Sequence, residues 1–196
     1  MTTRSATRER STNETSISVS INLDGGPVSA STGIPFFDHM LDQLGRHGGF
    51  GLGVHCTGDL DIDAHHTVED VGIAVGEAFA EALGDKAGVR RFANARVPLD
   101  EALVDVALDL SGRPYLHHEV DFPGQKILGD PPFDPQLMEE FWRAFAMAAR
   151  ITVHLTLVRG KNTHHIVEAT FKGMASALSD AVRIEGEGVP STKGSL

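Results

Sequence analysis

Two stretches of this chain, VHCTGDLDIDAHHTVED at residues 54–70 and VHLTLVRGKNTHHIVEA at residues 153–169, align without a gap. A Val, a His, a Thr, a His-His pair, a second Val and a Glu fall in register. Chance agreement at so many positions is improbable, so we predict an internal duplication. The fold class that follows is α+β, with two similar halves. Each half is a small mixed or antiparallel sheet covered on one face by helices.

The apolar spacing around the two stretches predicts a similar order of elements in each half. In the first half the pattern predicts a strand, a helix, an extended segment and a long helix, at 16–23, 36–44, 54–62 and 65–83. In the second half it predicts strands at 102–110, 114–120 and 151–158, and helices at 135–149 and 164–184. We divide the chain into a disordered N-terminal arm, two repeats and a C-terminal tail, at 1–12, 13–92, 93–187 and 188–196.

Composition excludes several classes of protein. The formal net charge of -10 argues against a binder of the nucleic-acid backbone, because such proteins usually carry a basic face. No apolar run reaches the roughly 20 residues of a membrane helix, and the N-terminus lacks a signal-peptide core, so we predict a cytoplasmic protein. The single Cys56 excludes an intrachain disulfide and a multi-cysteine zinc site. The ten histidines are the unusual feature.

Each half carries a His-His-x-x-Glu motif near the start of a predicted helix. The motif residues are His65, His66 and Glu69 in the first half, and His164, His165 and Glu168 in the second. Residues i and i+4 share a helix face and residue i+1 points about 100° away, so one helix can serve two metals. Imidazole and carboxylate donors suit Mn, Fe, Co or Zn. Asp63 and Asp70 are candidate carboxylates behind the ligands.

Extending the duplication upstream pairs His39 with Glu140. If both bind metal, the chain offers eight ligands, enough for two six-coordinate ions with open positions. The alternative for Glu140 is an exposed helix carboxylate, and the alternative for a His-His pair is a surface or capping role. His117 and His118 have no partner in the repeat and are predicted to be structural. For the repeat pair at 55 and 154, a core and a site-lining role both remain open.

Several cations and hydroxyls could bind a phosphate. They are Arg91, Arg113, Lys172 and the tail residues 191–195. The small residues of the tail could fold over a site as a lid, or the tail could be a frayed terminus.

Five blocks resemble the signature sequences of the imidazoleglycerol-phosphate dehydratase family, and the likeness runs from about Glu14 to the C-terminus. The blocks are IPFFDHMLDQLGRHG (34–48), DAHHTVED (63–70), DLSGRPY (109–115), KNTHHIVEATFK (161–172) and GVPSTKGSL (188–196). The resemblance implies a hydro-lyase of histidine biosynthesis that dehydrates D-erythro-imidazole-glycerol phosphate to imidazole-acetol phosphate. It also implies two manganese ions per active site, and a homo-oligomer of 24 subunits built from trimers, with active sites between subunits.

The same resemblance assigns residue roles. The metal ligands would be His39, His65, His66, Glu69, Glu140, His164, His165 and Glu168; many members carry His at the position of Glu140. The substrate contacts would be Glu14, His39, His47, Arg91, Arg113, Lys172, Ser191, Thr192 and Lys193.

The dehydration implied by the resemblance explains why the enzyme would need metals. A metal on an imidazolate nitrogen would let the substrate ring accept electrons as a diazafulvene-type intermediate, while a carboxylate moves protons. The candidates for proton transfer are Glu14, Glu69 and Glu168. Two alternatives remain open, namely a metal-dependent phosphate-ester hydrolase and a non-catalytic metal-binding protein.

Overall fold

The computed structural model describes residues 4–124 and 126–196, and it consists of two four-stranded sheets with four helices. The first half contains β1 (Ser5–Ser11), β2 (Thr15–Asn22), β3 (Val28–Ser31), α1 (Pro35–Gly48), β4 (Gly51–Gly58) and α2 (His65–Leu83). The second contains β5 (Phe92–Leu99), β6 (Ala102–Asp109), β7 (Tyr115–Glu119), α3 (Leu137–Ala149), β8 (Thr152–Arg159) and α4 (Thr163–Ala181).

The two sheets have the same topology. Their strand orders are β1-β2-β4-β3 and β5-β6-β8-β7. In each sheet the first three strands in this order pair antiparallel and the last strand pairs parallel to its neighbour. This confirms the predicted α+β fold of two similar halves with mixed sheets.

Each sheet buries one face against helices. Along β2, Ile17, Val19 and Ile21 are buried, and the residues between them point to the opposite, more exposed face. This alternation is the period-2 pattern of a half-buried strand. The helices pack between the two sheets, so the apolar core is continuous through both halves.

The helices pair across the two halves. Helix α1 packs against α4, and α2 packs against α3. Each buried position of α2 has a buried equivalent at one constant offset in α4 or its C-cap. Likewise, Phe37, Met40, Leu41 and Leu44 of α1 correspond to buried residues of α3. This register supports the predicted correspondence of His39 with Glu140.

Two glycines allow the close approach of α2 to α3. A Cβ at Gly72 would lie 2.8 Å from the carbonyl oxygen of Phe141, and one at Gly76 would lie 2.7 Å from that of Phe145. The obstructing atoms are helix backbone, which cannot yield without moving α3. The packing that joins the two halves therefore requires residues without a side chain at these positions.

The N-terminal segment differs from the prediction of a disordered arm over residues 1–12. Residues 5–11 form β1, which pairs with β2 along its whole length, while residues 1–3 lie outside the described part of the chain. Ion pairs from Arg8 to Glu81 and from Arg10 to Asp70 hold the strand over α2. A polar edge strand held by charges lacks the apolar signal on which the prediction depended.

Two further strands, β3 and β5, were not predicted. Both are edge strands in which exposed positions alternate with more buried ones. The segment predicted as extended over 54–62 forms β4 only to Gly58, and a turn follows it. Among the described residues, no helix is long and apolar enough to cross a membrane.

Candidate metal centre

The two His-His-x-x-Glu motifs lie at equivalent helix starts. The side chain of Asn162 caps α4 by accepting hydrogen bonds from the backbone N–H groups of His164 and His165. At the equivalent place before α2, the Asp63 carboxylate accepts from the backbone N–H of His65. Short polar side chains at helix N-termini satisfy free N–H groups and fix the first turn. Both histidine pairs are therefore carried on rigid backbone.

One compact group of possible metal ligands combines residues from both halves. His39 of α1 joins His164 and Glu168 of α4, and one donor atom from each lies within 4.8 Å of the others. His164 Nε2 is 2.9 Å from Glu168 Oε2, and His39 Nε2 is 3.6 Å from the same oxygen. Two imidazoles and one carboxylate are a donor set that suits a first-row divalent ion.

The carboxylate of Glu168 is held in its charged form. Burial raises its pKa. The hydrogen bonds from Lys172 and His164, with the charges of Lys172 and His39, lower the pKa by more than burial raises it, so the net shift is downward. Lys172 Nζ lies 2.7 Å from Glu168 Oε1. An ionised carboxylate with one oxygen held by a lysine can ligate a metal through its other oxygen, which here faces His39 and His164.

The equivalent residues of the other motif form a looser group. His65 Nε2 lies 3.9 Å from Glu69 Oε2, and His65 lines a cavity of about 570 Å³ together with Glu140. Leu60, Pro131 and Leu137 supply part of the apolar wall of this cavity. Glu140 thus lines the same cavity as His65, whereas His39 lies within 4.8 Å of the donor atoms of His164 and Glu168.

The second histidine of each pair faces different partners. His66 Nδ1 lies 2.9 Å from Asp59 Oδ2, and its Nε2 lies 3.7 Å from Glu14 Oε1. The hydrogen bond with Asp59, followed by the charge of Glu14, outweighs desolvation and raises the pKa of His66. A third of the His66 side chain is exposed, so its free Nε2 edge is accessible from outside the chain.

His165 has the same kind of surroundings. Its Nδ1 lies 2.7 Å from Glu101 Oε2, and its Nε2 lies 3.7 Å from Asp100 Oδ2. The hydrogen bond with His165, with those from the backbone N–H groups of Asn162 and Lys161, lowers the pKa of Glu101 to about 2. Neither i+1 histidine belongs to the compact group around Glu168.

A basic cluster lies at the far end of α4. The Arg91 guanidinium donates to Asp109 at 2.7 Å and to the carbonyl oxygen of Pro190 at 2.8 Å, and Arg113 lies 3.6 Å from the same Asp109. The hydrogen bond to Asp109 raises the pKa of Arg91. Arg91 has a φ of 76°, which is uncommon for a residue with a side chain.

The C-terminal tail lies over this cluster. Its last residue, Leu196, is so close to Gly112 that a Cβ there would meet the terminal carbon at 2.6 Å. Ser191 accepts a hydrogen bond from the backbone N–H of Lys193, and the side chains of Thr192 and Lys193 are exposed. The tail is therefore held against Arg91 and Gly112 and carries exposed hydroxyl and ammonium groups.

Other predicted site residues lie apart from the ligand groups. His47 is at the last turn of α1, where its Nε2 lies 3.0 Å from Gln43 Oε1. Asp70 was a candidate behind the metal ligands, but it is buried and accepts hydrogen bonds from Arg10 and Thr15 instead. Asp70 lies in the second turn of α2, and its carboxylate faces strands β1 and β2.

Three residues that sequence reasoning missed contact the predicted site residues. They are Asp59, Asp109 and Glu101. None lies inside a His-His-x-x-Glu motif, and only Asp109 falls in a family block. Glu101 lies in the turn between β5 and β6 as Glu14 lies in the turn between β1 and β2, so a finer comparison of the two hairpins could have found it.

The other four histidines remain without an assigned role. His117 lies beside His154 on the outer face of the second sheet, with ring centroids 5.3 Å apart and the rings tilted by 37°. The side chain of His118 is 6% exposed and faces Glu139, which agrees with a structural role. His55 is exposed on the outer face of β4.

The fold and the site define a class: a duplicated α+β protein with two His-His-x-x-Glu motifs and a compact histidine–carboxylate group that suits a divalent metal ion. A family model described as imidazoleglycerol-phosphate dehydratase matches residues 32–178. The curated imidazoleglycerol-phosphate dehydratase of Acidothermus cellulolyticus is 55% identical over 98% of this chain and 93% of its own length. That of Gluconacetobacter diazotrophicus is 54% identical over 100% of this chain and 99% of its own length.

Solved structures agree with the sequence comparison. The dehydratase from Pyrococcus furiosus superposes with a TM-score of 0.83 at 40% identity, covering 96% of this chain and 100% of that one. The dehydratase from Staphylococcus aureus gives a TM-score of 0.83 at 37% identity, covering 92% and 99%. The chain belongs to the imidazoleglycerol-phosphate dehydratase family. It is therefore an enzyme, a carbon–oxygen lyase of histidine biosynthesis, as the sequence predicted.

Proposed function

We propose that the chain dehydrates D-erythro-imidazole-glycerol phosphate to imidazole-acetol phosphate with two manganese ions per active site. The observation that carries this proposal is the convergence of His39, His164 and Glu168 from opposite halves of the chain. Family membership supports the reaction, and the arrangement of donors supports the metal dependence.

The ligand chemistry fits manganese. The ligands proposed for one ion are the compact group of His39, His164 and Glu168, and those for the other are His65, Glu69 and Glu140, of which His65 and Glu140 line one cavity. Imidazole and carboxylate suit Mn²⁺, and no thiolate lies among them to favour a softer ion. A bound divalent ion would act as a Lewis acid on the imidazole ring and hydroxyls of the substrate.

Each active site is proposed to form between copies of the chain. Arg91 donates its backbone N–H to the carbonyl oxygen of Ala181, at the end of α4, whereas Glu168 lies in the first turns of that helix. At 1.5 Å per residue the two ends are roughly 20 Å apart. A phosphorylated imidazole triol is too short to span this distance, so the basic cluster of one copy would serve the metal groups of another.

The i+1 histidines support the same assembly. His66 and His165 keep Nε2 accessible and point away from the groups that their own helices help to build. They would complete the coordination of metals held mainly by neighbouring subunits. A 24-subunit shell of trimers, as the sequence resemblance implies, would bring these surfaces together.

Among the three candidate carboxylates, Glu14 fits proton transfer better than the others. Glu168 is held by Lys172 and His164, and Glu69 faces His65, so both belong to the ligand groups. Glu14 is half exposed at the hairpin between β1 and β2, near the free edge of His66. Comparison of substrate and product requires loss of the hydroxyl beside the ring and of a proton from the next carbon.

The proton would move to Glu14 as the enol forms. The imidazole ring would first give up its N–H proton and expel the neighbouring hydroxyl, and the two would leave as water, through a diazafulvene-type state of the substrate. Glu14 would then take the proton from the adjacent carbon while a ring nitrogen regains a proton, and the resulting enol would give the ketone. Arg91, Arg113, Lys193 and the hydroxyls of Ser191 and Thr192 would hold the phosphate, using remote binding energy for orientation.

A product assay tests the proposal. Manganese-loaded protein incubated with imidazole-glycerol phosphate should give the ketone and no free phosphate. A hydrolase would release phosphate, and a metal-binding protein without activity would release neither product. The ketone's absence with folded, metal-loaded protein would overturn the proposed reaction.

A further inference from the structure

His66 and His165 differ from the other motif histidines in which ring nitrogen lies closest to a carboxylate of the same chain. In both, Nδ1 is within hydrogen-bond distance of a carboxylate, and Nε2 faces outward at 3.7 Å from a second carboxylate. In His164 the atom near a carboxylate of its own helix is Nε2. The i+1 histidines therefore have a fixed ring orientation and an available Nε2.

The two carboxylates at Nδ1 come from positions that are not equivalent in the duplication. Asp59 directly follows β4, whereas Glu101 lies in the turn between β5 and β6. The equivalent of Asp59 in the second half is Val158, which has no charge. The halves thus make the same contact with different parts of the fold, which is unexpected for contacts that merely descend from the duplicated ancestor.

Among residues 4–124 and 126–196, no Lys or Arg side chain forms an ion pair with either carboxylate. Among the described residues, the side chain of Asp59 bonds only to His66, and its Oδ1 is buried without a partner. Glu101 is fixed by His165 and by the backbone N–H groups of Lys161 and Asn162, at 3.1 and 2.7 Å. These bonds tie the carboxylate to the loop that starts α4.

We propose that Asp59 and Glu101 are positioning residues, which hold His66 and His165 with the proton on Nδ1 and thereby present Nε2 to a divalent metal. A carboxylate that accepts from one ring nitrogen fixes the tautomer and orientation of the ring and makes the other nitrogen a better ligand. This inference rests on the proposed metal-dependent function, in which both histidines ligate.

Metal affinity is the first test. Asp59→Ala and Glu101→Ala should each weaken Mn²⁺ binding about 10–100-fold, the usual effect of losing such a partner, measured from the free-ion signal in electron paramagnetic resonance titrations. Asp59→Asn should recover most of the affinity, because the amide oxygen can still accept from Nδ1–H. Glu101→Gln should recover less, because its NH2 group would face either His165 or the backbone N–H groups of Lys161 and Asn162. Asp105→Asn, which breaks the exposed ion pair with Arg96, is the matched control and should bind as the unaltered chain does.

The histidine tautomer is the second test and needs no substitution at the carboxylates. Magic-angle-spinning NMR of ¹⁵N-histidine-labelled, metal-free protein at alkaline pH should give Nδ1–H rings for His66 and His165, assigned by His66→Asn and His165→Asn. Nε2–H rings, or alanine variants that bind Mn²⁺ with unchanged affinity, would overturn the positioning role. Manganese binding without ketone formation would reject the proposed reaction. It would leave the positioning role of Asp59 and Glu101 intact.

Discussion

His39 Nε2 lies 3.6 Å from Glu168 Oε2, although the two residues belong to opposite halves of the duplicated chain. The contact exists because α1 of the first half packs against α4 of the second. In this group the duplication brings together a motif from one half and a histidine from the other. The proposed second site would be built in the same way from His65, Glu69 and Glu140.

Removal of either partner in this contact should remove one metal. His39→Ala and Glu168→Gln are each expected to lower bound manganese from about two ions per subunit to about one, because the site keeps only two ligands from its own chain beside the i+1 histidine of another copy. Metal analysis of purified protein after dialysis measures this. His117→Ala, on the outer face of the second sheet, should retain both ions. Full metal content in His39→Ala would show that the histidine does not ligate.

Loss of the carboxylate of Glu14 should slow chemistry and leave the metals in place. Glu14→Gln is expected to lower kcat by about 10²–10⁴-fold, the usual contribution of a general base, while manganese content stays unchanged. Steady-state rates of ketone formation measure the effect. Glu9→Gln, an exposed carboxylate on the adjacent strand β1, provides the control. A variant with full kcat would reject Glu14 as the proton acceptor.

Loss of the ammonium group in the tail should weaken substrate binding. Lys193→Ala is expected to raise KM about 10-fold or more, since a charge-assisted contact with phosphate contributes about 1.5–3 kcal/mol. Manganese content should not change, because the tail lies beside Arg91 and Arg113 and apart from the ligand groups. Arg96→Ala removes a cation elsewhere and should leave KM unaltered. An unchanged KM in Lys193→Ala would indicate that the tail is only a chain terminus.

The close packing of α2 on α3 should tolerate no added methyl group. Gly76→Ala is expected to lower the free energy of unfolding by about 1–2 kcal/mol, because the clash with the carbonyl oxygen of Phe145 exceeds the gain in helix propensity. Gly186→Ala, where a Cβ would meet nothing within 4 Å, should change stability little. Urea unfolding of metal-free protein compares them, and a more stable Gly76→Ala would contradict the packing argument.

The buried thiol of Cys56 should make stability fall at high pH. Burial, and next the charge of Asp70, raise its pKa from 9.0 to about 11. The folded state therefore binds this proton more tightly, and the stabilisation is complete below the unfolded pKa and lost as pH rises toward the folded one. Between about pH 8 and 10, unaltered protein should lose about 1 kcal/mol more than Cys56→Ala in urea unfolding. Equal losses in both proteins would place the thiol in a wetter environment.

The sequence predicted the duplicated α+β fold because the repeat brings the His-His-x-x-Glu motifs into register and helix periodicity is strong around them. It did not predict β1, where Arg8 and Arg10 replace the expected apolar residues with ion pairs to α2. Edge strands depend on pairing with a neighbour and on distant charges, which a local pattern does not contain.

The ligand set could be proposed from spacing, but its grouping could not. The pairing of His39 with α4 depends on which helices pack together, and the same sequence pattern would also suit packing within one half. The partners of His66 and His165 were missed for the same reason, because Asp59 and Glu101 lie in turns that only the folded chain brings to the helix starts.

A map of manganese positions tests the central claim most directly. Anomalous diffraction at the manganese edge, from crystals of the loaded protein, should give two peaks per subunit. One is expected among His39, His164 and Glu168, and the other beside His65, Glu69 and Glu140, each completed by an i+1 histidine from another copy. No peak at either group, or peaks ligated entirely within one half, would contradict the account of a dinuclear site assembled across the duplication.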